Sequence, residues 1–390
     1  MKIIFVHDHK FKVNSLGEYH TDGKFTSELF NRYIDSESDR VTIISRSLPI
    51  SKESLSYNLV DHPQVEFQPV KGINPIEVFV FNFFYNIGIF IESLKYSLKI
   101  IRLPSFLGLF YCFLCIFFKK KYFIEVVGHA KDSLLDGNSG FIKIIFANIY
   151  FKLTQFVIKK SAGAIYVTKE ALQQDFPCLG ISEYASNVIL KIDKKFNPKK
   201  DYSILNTPNI GLIGSFNNHY KGINFAIKTI AFLKEKRKLR VDLHILGHGK
   251  LLDEYQELAK SLNIDDQVFF DGLLPLDQVP GWLDKMDIYI QPSLTEGLPR
   301  ALIEAMSRGL PCLASRAGGI PELLPEHCTF EEFSQEIFSN MLLEILESEE
   351  LRAQLGNKNF VQSLNYNFET LELKRRSFWK KARNIIGKDI

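Results

Sequence analysis

Two carboxylates, Glu296 and Glu304, stand with seven residues between them in a stretch punctuated by Gly297, Gly309, Gly318 and Gly319. Paired carboxylates can grip hydroxyl groups, offset developing positive charge, or act as acid and base. Glycine-containing loops that lead into helices favour phosphate, because backbone N–H groups and the helix dipole point at the ligand. Lys221 followed by Gly222, in a loop after an apolar run, adds a cation with the same preference. His129, just past another apolar run, sits either where cleft residues sit or in an exposed loop. A long polar ligand could meet both carboxylates.

The elements that must position the carboxylates can be read from the same stretch. An apolar strand at 288–290 stops at Pro292-Ser293, and Pro299 suits the first turn of a helix. Ala301, Leu302, Ala305 and Met306 make an apolar helical stripe. Gly309 and Pro311 end that helix, a strand follows at 312–314, and Gly318-Gly319 with Pro321 opens a further helix. Strand–loop–helix repeats of this kind bring their loops to the carboxyl edge of a parallel sheet, where open α/β sheets bind ligands. A surface helix with two solvated glutamates would leave the glycine breaks and flanking strands unexplained.

The 390 residues suit two domains or three, and 46% hydrophobic with 24% charged is ordinary globular composition. Five scattered cysteines (Cys112, Cys115, Cys178, Cys312, Cys328) suit a reducing compartment, and Cys112-x-x-Cys115 inside an apolar run reads as core packing. The N-terminal Met-Lys-Ile-Ile-Phe-Val-His is a short strand rather than a signal peptide. The apolar stretch 106–118 is shorter than the ~20 residues a membrane span needs, so no transmembrane helix is expected. Charge is +3 over 1–190, +4 over 191–200 and −4 over 201–390, too small an excess for nucleic-acid binding. The basic excess leaves open a solvated linker or a first half facing an anionic membrane or phosphate-bearing acceptor.

Along the chain, a buried strand at 2–7 enters a polar loop over 8–24 with Gly17 and Gly23, then a helix at 25–33 and a strand at 41–45. Gly17 stands either near a phosphate or in a plain turn. Strands follow at 65–70 and 98–101, with an aromatic-rich helix at 75–96 between them. Arg102, after a strand, holds either a phosphate or a structural ion pair. The run 106–118 is a helix apolar nearly all round, a core helix in preference to one lying on a membrane or lipid acceptor, and Lys119-Lys120-Lys121 suits its C-terminus. A strand at 122–127 delivers His129, and strands at 163–168 and 186–190 complete the first half. After the charged stretch 191–208, strand 210–214 leads through Ser215, His219 and Lys221 to a helix at 223–234. Strands 242–246 and 268–271 end in Gly247-His248-Gly249 and Gly272-Leu273, and helices are expected at 332–348 and 367–386. No G-x-G-x-x-G is present, which disfavours a nicotinamide enzyme.

Glu296, seven residues, Glu304, then Gly309-Leu-Pro and Gly318-Gly319-Ile-Pro-Glu322 resemble the E-x7-E signature of retaining GT-B glycosyltransferases of family 4. The strand–loop–Lys221-Gly222 element is similar to a second part of that family. The resemblance implies an α/β protein with two Rossmann-like domains whose parallel sheets face an interdomain cleft. An acceptor-binding domain would span 1–190, a linker 191–208, a nucleotide-sugar domain 209–366, and a C-terminal helix crossing back 367–390. It also implies transfer of a sugar, with retention, from a nucleotide sugar (UDP favoured over GDP) to a glycan or polyprenyl-linked oligosaccharide, with neither metal nor cofactor. By resemblance Glu304 would hold the ribose, Glu296 with Gly297 and Leu298 the donor sugar, Lys221 the diphosphate, and Gly272 and Leu273 the base. His129 would approach the sugar, and Gly17 the donor phosphates and acceptor. Where the family carries an arginine this chain has Ser215, so phosphate charge would be met elsewhere, by His219, Arg102 or Arg300. The Glu-Gly-Leu-Pro-Arg variant at 296–300 looks like capsule and O-antigen transferases, implying surface-polysaccharide synthesis in the cytoplasm, at the inner face of the cell membrane. Left open are a glycoside hydrolase, a non-catalytic GT-B partner and a sugar-nucleotide epimerase.

Overall fold

A computed structural model describes residues 1–21, 25, 27–50, 58–135, 140–192, 198, 201–204 and 207–387. Gly23 and much of the stretch 191–208 fall outside the described residues. The chain folds as two compact units, one of 1–135, 140–185 and the closing segment from 372, the other centred on 186–371.

In the first unit the strands are β1 (Lys2–Val13), β2 (Tyr19–Thr21), β3 (Arg40–Pro49), β4 (Asn58–Leu59), β5 (Val65–Phe67), β6 (Leu98–Leu103), β7 (Phe123–Val126), β8 (Gly163–Tyr166) and β9 (Ile181–Tyr184). Its helices are α1 (Ser27–Phe30), α2 (Phe83–Ser93), α3 (Phe106–Phe117), α4 (Phe141–Lys160) and α5 (Ala171–Asp175). The parallel core runs β5-β3-β1-β6-β7-β8-β9, with β2 and β4 added antiparallel beyond the far half of β1. All six residues of β6 are buried, the near-continuous apolar pattern of a strand covered on both faces.

Several sequence expectations change here. The first strand does not stop at 7: residues 10–13 pair with 46–49 of β3, so the polar stretch is extended chain rather than a loop. Gly17 consequently sits in the turn joining β1 to β2, with φ +79° and its N–H donating to Asn14 O at 3.1 Å. That is the turn reading, with no helix N-terminus after it. The expected helix at 75–96 is a π-turn (Glu77–Phe81) and α2, broken at Asn82. The strand expected at 186–190 lies earlier, as β9; only Leu190 bridges, to Asn367. Cys112 and Cys115 are buried on α3, and burial pushes the Cys115 thiol up to about 12, consistent with packing rather than chemistry. Helix α4, unassigned from the sequence, is long and apolar enough to cross a membrane by length and composition.

The second unit has strands β10 (Asn209–Ile213), β11 (Asp242–Leu246), β12 (Val268–Gly272), β13 (Ile288–Gln291), β14 (Cys312–Ser315) and β15 (Thr329–Phe330). They form one parallel sheet in the order β12-β11-β10-β13-β14-β15. Its helices are α6 (Ile223–Phe232), α7 (Leu252–Ser261), α8 (Val279–Leu283), α9 (Arg300–Ser307), α10 (Gln335–Glu347) and α11 (Glu349–Ser363). Ser334 and Ser348 cap α10 and α11 by accepting from Ile337 N and Leu351 N. Gly318-Gly319 opens only a single 3₁₀ turn, Ile320–Glu322, not a full helix.

The last helix, α12 (Phe368–Gly387), joins the first unit from residue 372. Its Trp379 meets Tyr33 edge-on at 5.3 Å and its Phe378 meets Phe123 at 6.3 Å. Each such buried aromatic is worth about 1.5–3 kcal/mol of removed apolar surface. Arg383 then bonds Asp39 Oδ2 at 2.8 Å, where the N-terminal ammonium also reaches Oδ1 at 2.7 Å.

Candidate functional site

Both sheets are doubly wound. The first unit switches direction between β1 and β6, the second between β10 and β13. The crevice beyond the carboxyl ends at a switch point is the expected ligand position in such sheets.

In the second unit that crevice holds most of the sequence candidates. Gly222 has φ +69°, and a β-carbon there would lie 1.8 Å from Pro292 O. Only glycine therefore lets the loop after β10 close on the loop after β13. The closure brings Lys221 Nζ within 2.5 Å of Glu296 Oε1, with both side chains largely buried. The same oxygen accepts from Ser293 Oγ at 2.7 Å and Gln291 Nε2 at 3.1 Å. Gln291 Oε1 in turn accepts from the Tyr289 hydroxyl at 2.8 Å, which takes the Ile213 N–H at 3.3 Å. Burial raises the Tyr289 phenol well above its ordinary value, so it stays a donor. A continuous hydrogen-bonded chain thus ties β10 to Glu296.

The loop after β14 locks the arrangement from the other side. Gly318 has φ +54° and a β-carbon there would stand 1.9 Å from Glu296 O, while Gly319 N donates to Gly297 O at 2.7 Å. Leu298 is buried, and Pro299 precedes α9 as expected. Glu304 lies on α9, and its carboxylate has no hydrogen-bond donor among the described residues. Burial raises its pKa, against a smaller opposing pull from Arg300. Arg300 is exposed at the start of α9 and forms no ion pair among the described residues.

The remaining candidates divide. Ser215 follows β10 and its Oγ accepts from Asn217 N at 3.3 Å. His219 faces α7, its Nδ1 3.5 Å from Tyr255 OH and its Nε2 3.8 Å from Glu254, so it already neighbours a carboxylate rather than offering a free cation. Gly272 ends β12 with φ +72° and receives the Gly247 N–H at 2.8 Å; Leu273 beyond it is exposed.

Gly17, Arg102 and His129 belong to the first unit. Arg102 is buried and paired with Glu125 at 3.2 Å, and Glu125 also accepts from Tyr33 OH at 2.8 Å. Arg102 thus forms a structural ion pair. His129 has Asp132 at 3.1 Å on Nδ1 and Asp175 at 3.5 Å on Nε2, between the rings of Phe151 and Phe176. Sequence reasoning missed Gln291, Ser293 and Tyr289, which position Glu296, because single polar residues in an apolar strand have no spacing signature. It also missed Asp8, whose carboxylate accepts from Phe106 N and, at 3.3 Å, from Leu107 N at the start of α3. Among the described residues no three His, Cys, Asp or Glu side chains are grouped to hold a metal ion.

Comparison with known proteins places this chain in a family. The family model for glycosyl transferases group 1 matches residues 193–361. Protein CapJ of Staphylococcus aureus is 31% identical over 396 residues, covering 99% of this chain and 97% of CapJ. The amylovoran biosynthesis glycosyltransferase AmsK of Erwinia amylovora is 36% identical over 113 residues, which span 27% of each chain. Among solved structures, Anabaena HepE in complex with UDP and glucose has the same fold, with a TM-score of 0.67, 15% identity, and coverage of 97% of this chain and 99% of HepE.

Proposed function

The chain belongs to the glycosyltransferase group 1 family and has the GT-B fold, and we propose that it is a retaining, metal-independent enzyme of family 4 that uses a UDP-sugar. The observation that carries this reading is the switch-point crevice of the second unit: Lys221 held on Glu296, and Glu304 on the helix that follows, without a donor among the described residues. Without ligand, Glu296 neutralises Lys221. An arriving diphosphate draws the Lys221 ammonium toward itself, joined by the uncapped N–H groups at the starts of α6 and α9. Glu304 then receives the ribose hydroxyls, which supply the donors its carboxylate lacks. Gly272 and Leu273 offer backbone groups to the base, and Gly297 and Leu298 line the donor sugar.

In the transfer step the bond from the anomeric carbon to the diphosphate breaks, and negative charge grows on the leaving group. Lys221 and the helix N–H groups stabilise that charge. Glu296, fixed by Gln291 and Ser293, faces the positive charge that develops on the sugar ring. An acceptor hydroxyl attacks the anomeric carbon from the leaving-group face and forms the new C–O bond there, which gives retention, and its proton passes to the departing diphosphate oxygen. Arg300, exposed and unpaired among the described residues, is the cation that offsets the loss of an arginine at Ser215. The acceptor is a glycan or polyprenyl-linked oligosaccharide at the cytoplasmic face, in surface-polysaccharide synthesis. CapJ by its name, and AmsK by its amylovoran title, support that setting.

The test is sugar transfer from labelled UDP-sugars to lipid-linked acceptors, with the anomeric configuration of the product determined. Glu304→Ala should weaken donor binding, and Glu296→Gln should mainly slow transfer. Full activity in both variants, or UDP binding with no turnover of any nucleotide sugar, would contradict the reading.

A further inference from the structure

We propose that the outward face of α4, continued by the end of α3, lies flat in the interface of an anionic lipid membrane. Helix α4 is apolar on two opposite stripes. Ala147, Tyr150, Thr154 and Ile158 are buried at helical spacing. On the other side Ile142, Ile145, Ile149 and Phe156 lie along one stripe and are 82%, 44%, 51% and 44% exposed. Lys152 shares that stripe, and a lysine stem lies along apolar surface while its ammonium reaches the polar layer. The patch continues onto α3, where Phe113 stacks on Phe156 at 6.1 Å and Phe117 is 78% exposed. Contiguous apolar surface of this kind marks a contact site.

Charge identifies the occupant. Neither α3 nor α4 contains an Asp or Glu. The two helices end side by side in exposed lysines: Lys119, Lys120 and Lys121 after α3, Lys159 and Lys160 closing α4. An apolar face rimmed by lysines fits acyl chains beneath anionic headgroups.

Topology decides between lying on the membrane and crossing it. Strands β7 and β8, on either side of α4, pair in parallel, Phe123 with Gly163 through Val126 with Tyr166. The helix must therefore return along the sheet, its inner stripe packed there, and cannot leave to span a bilayer. An interfacial helix satisfies both stripes at once.

The proposal does not depend on the sugar-transfer reading, and its test separates the two. The full chain is sedimented with vesicles of phosphatidylcholine alone and of phosphatidylcholine with one-quarter phosphatidylglycerol. The expected result is binding to the anionic vesicles, weakened by salt. Lys159→Ala with Lys160→Ala should lower partitioning roughly 25-fold, at about fivefold per lysine. Ile142→Glu with Ile149→Glu should abolish it, with thermal unfolding and the UDP-induced shift of that unfolding unchanged. Failure of the wild-type protein to bind anionic vesicles, or equal binding by both double variants, would overturn the proposal. So would a vesicle-free dimer that the Ile142→Glu, Ile149→Glu variant dissociates.

Discussion

The two switch points are built on the same plan and end in opposite states. In the first unit the crevice is closed by the protein's own groups. Asp8 sits on the first N–H groups of α3, Arg46 donates to Asp8 O at 2.8 Å, and Arg102 is committed to Glu125. His7 beside them is partly buried, and burial, then Arg102, lower its pKa to about 3, so it adds no cation there near neutrality. In the second unit α6 and α9 start at Gly222 and Pro299 with no side-chain cap among the described residues. The nearest carboxylate, Glu296, holds Lys221 instead of capping a helix. Side chains thus occupy the helix start at one switch point and, among the described residues, leave the helix starts at the other without a side-chain cap.

Four substitutions break or sharpen that contrast. Arg102→Ala should act on stability: it strands the buried Glu125 and should cost about 3–5 kcal/mol in denaturant unfolding. The stabilisation gained from UDP should be unaltered. Lys221→Met should act on function, lowering kcat by roughly 10²–10³-fold, the usual loss for one donor to a developing anion. Steady-state transfer rates measure it.

Glu304→Gln should move stability and function in opposite directions. Burial raises the folded-state pKa of Glu304 above its ordinary 4.5, so the folded protein binds the extra proton. Stability from that proton is present below the ordinary value and lost as pH rises through the folded value. The glutamine variant should therefore melt higher than the wild type at neutral pH and lose the pH dependence. Its UDP affinity should fall roughly 10- to 100-fold, the worth of charged hydrogen bonds to two hydroxyls. Asp8→Ala should have the smallest effect, about 0.5–2 kcal/mol, as loss of a helix cap. It sharpens the comparison further if phosphate then protects the start of α3 from amide exchange.

The second unit was legible in the sequence because glycine and proline mark its turns where ligand-facing loops need them. Gly222 and Gly318 are required by carbonyls under 2 Å from where a β-carbon would stand, and both fell inside the recognised motifs. The first unit was less legible for identifiable reasons. The stretch after residue 7 was read as loop from its polarity, yet β3 pairs with it through backbone bonds that composition does not register. That error put Gly17 beside a helix start instead of in a hairpin turn. Arg102 followed a strand, as a ligand-binding arginine would, but its partner Glu125 lies on the neighbouring strand, a pairing visible only once register is known. Helix α4 escaped notice because its lysines interrupt an apolar run whose two stripes carry no single amphipathic signal.

The central claim is that the donor diphosphate binds at the switch point of the second unit, on Lys221. Calorimetric titration of UDP into the wild type, Lys221→Met and Asp8→Ala tests it most directly. The account predicts tight binding to the wild type, affinity reduced at least tenfold in Lys221→Met, and no change in Asp8→Ala. Wild-type affinity in Lys221→Met, or loss confined to Asp8→Ala, would contradict it.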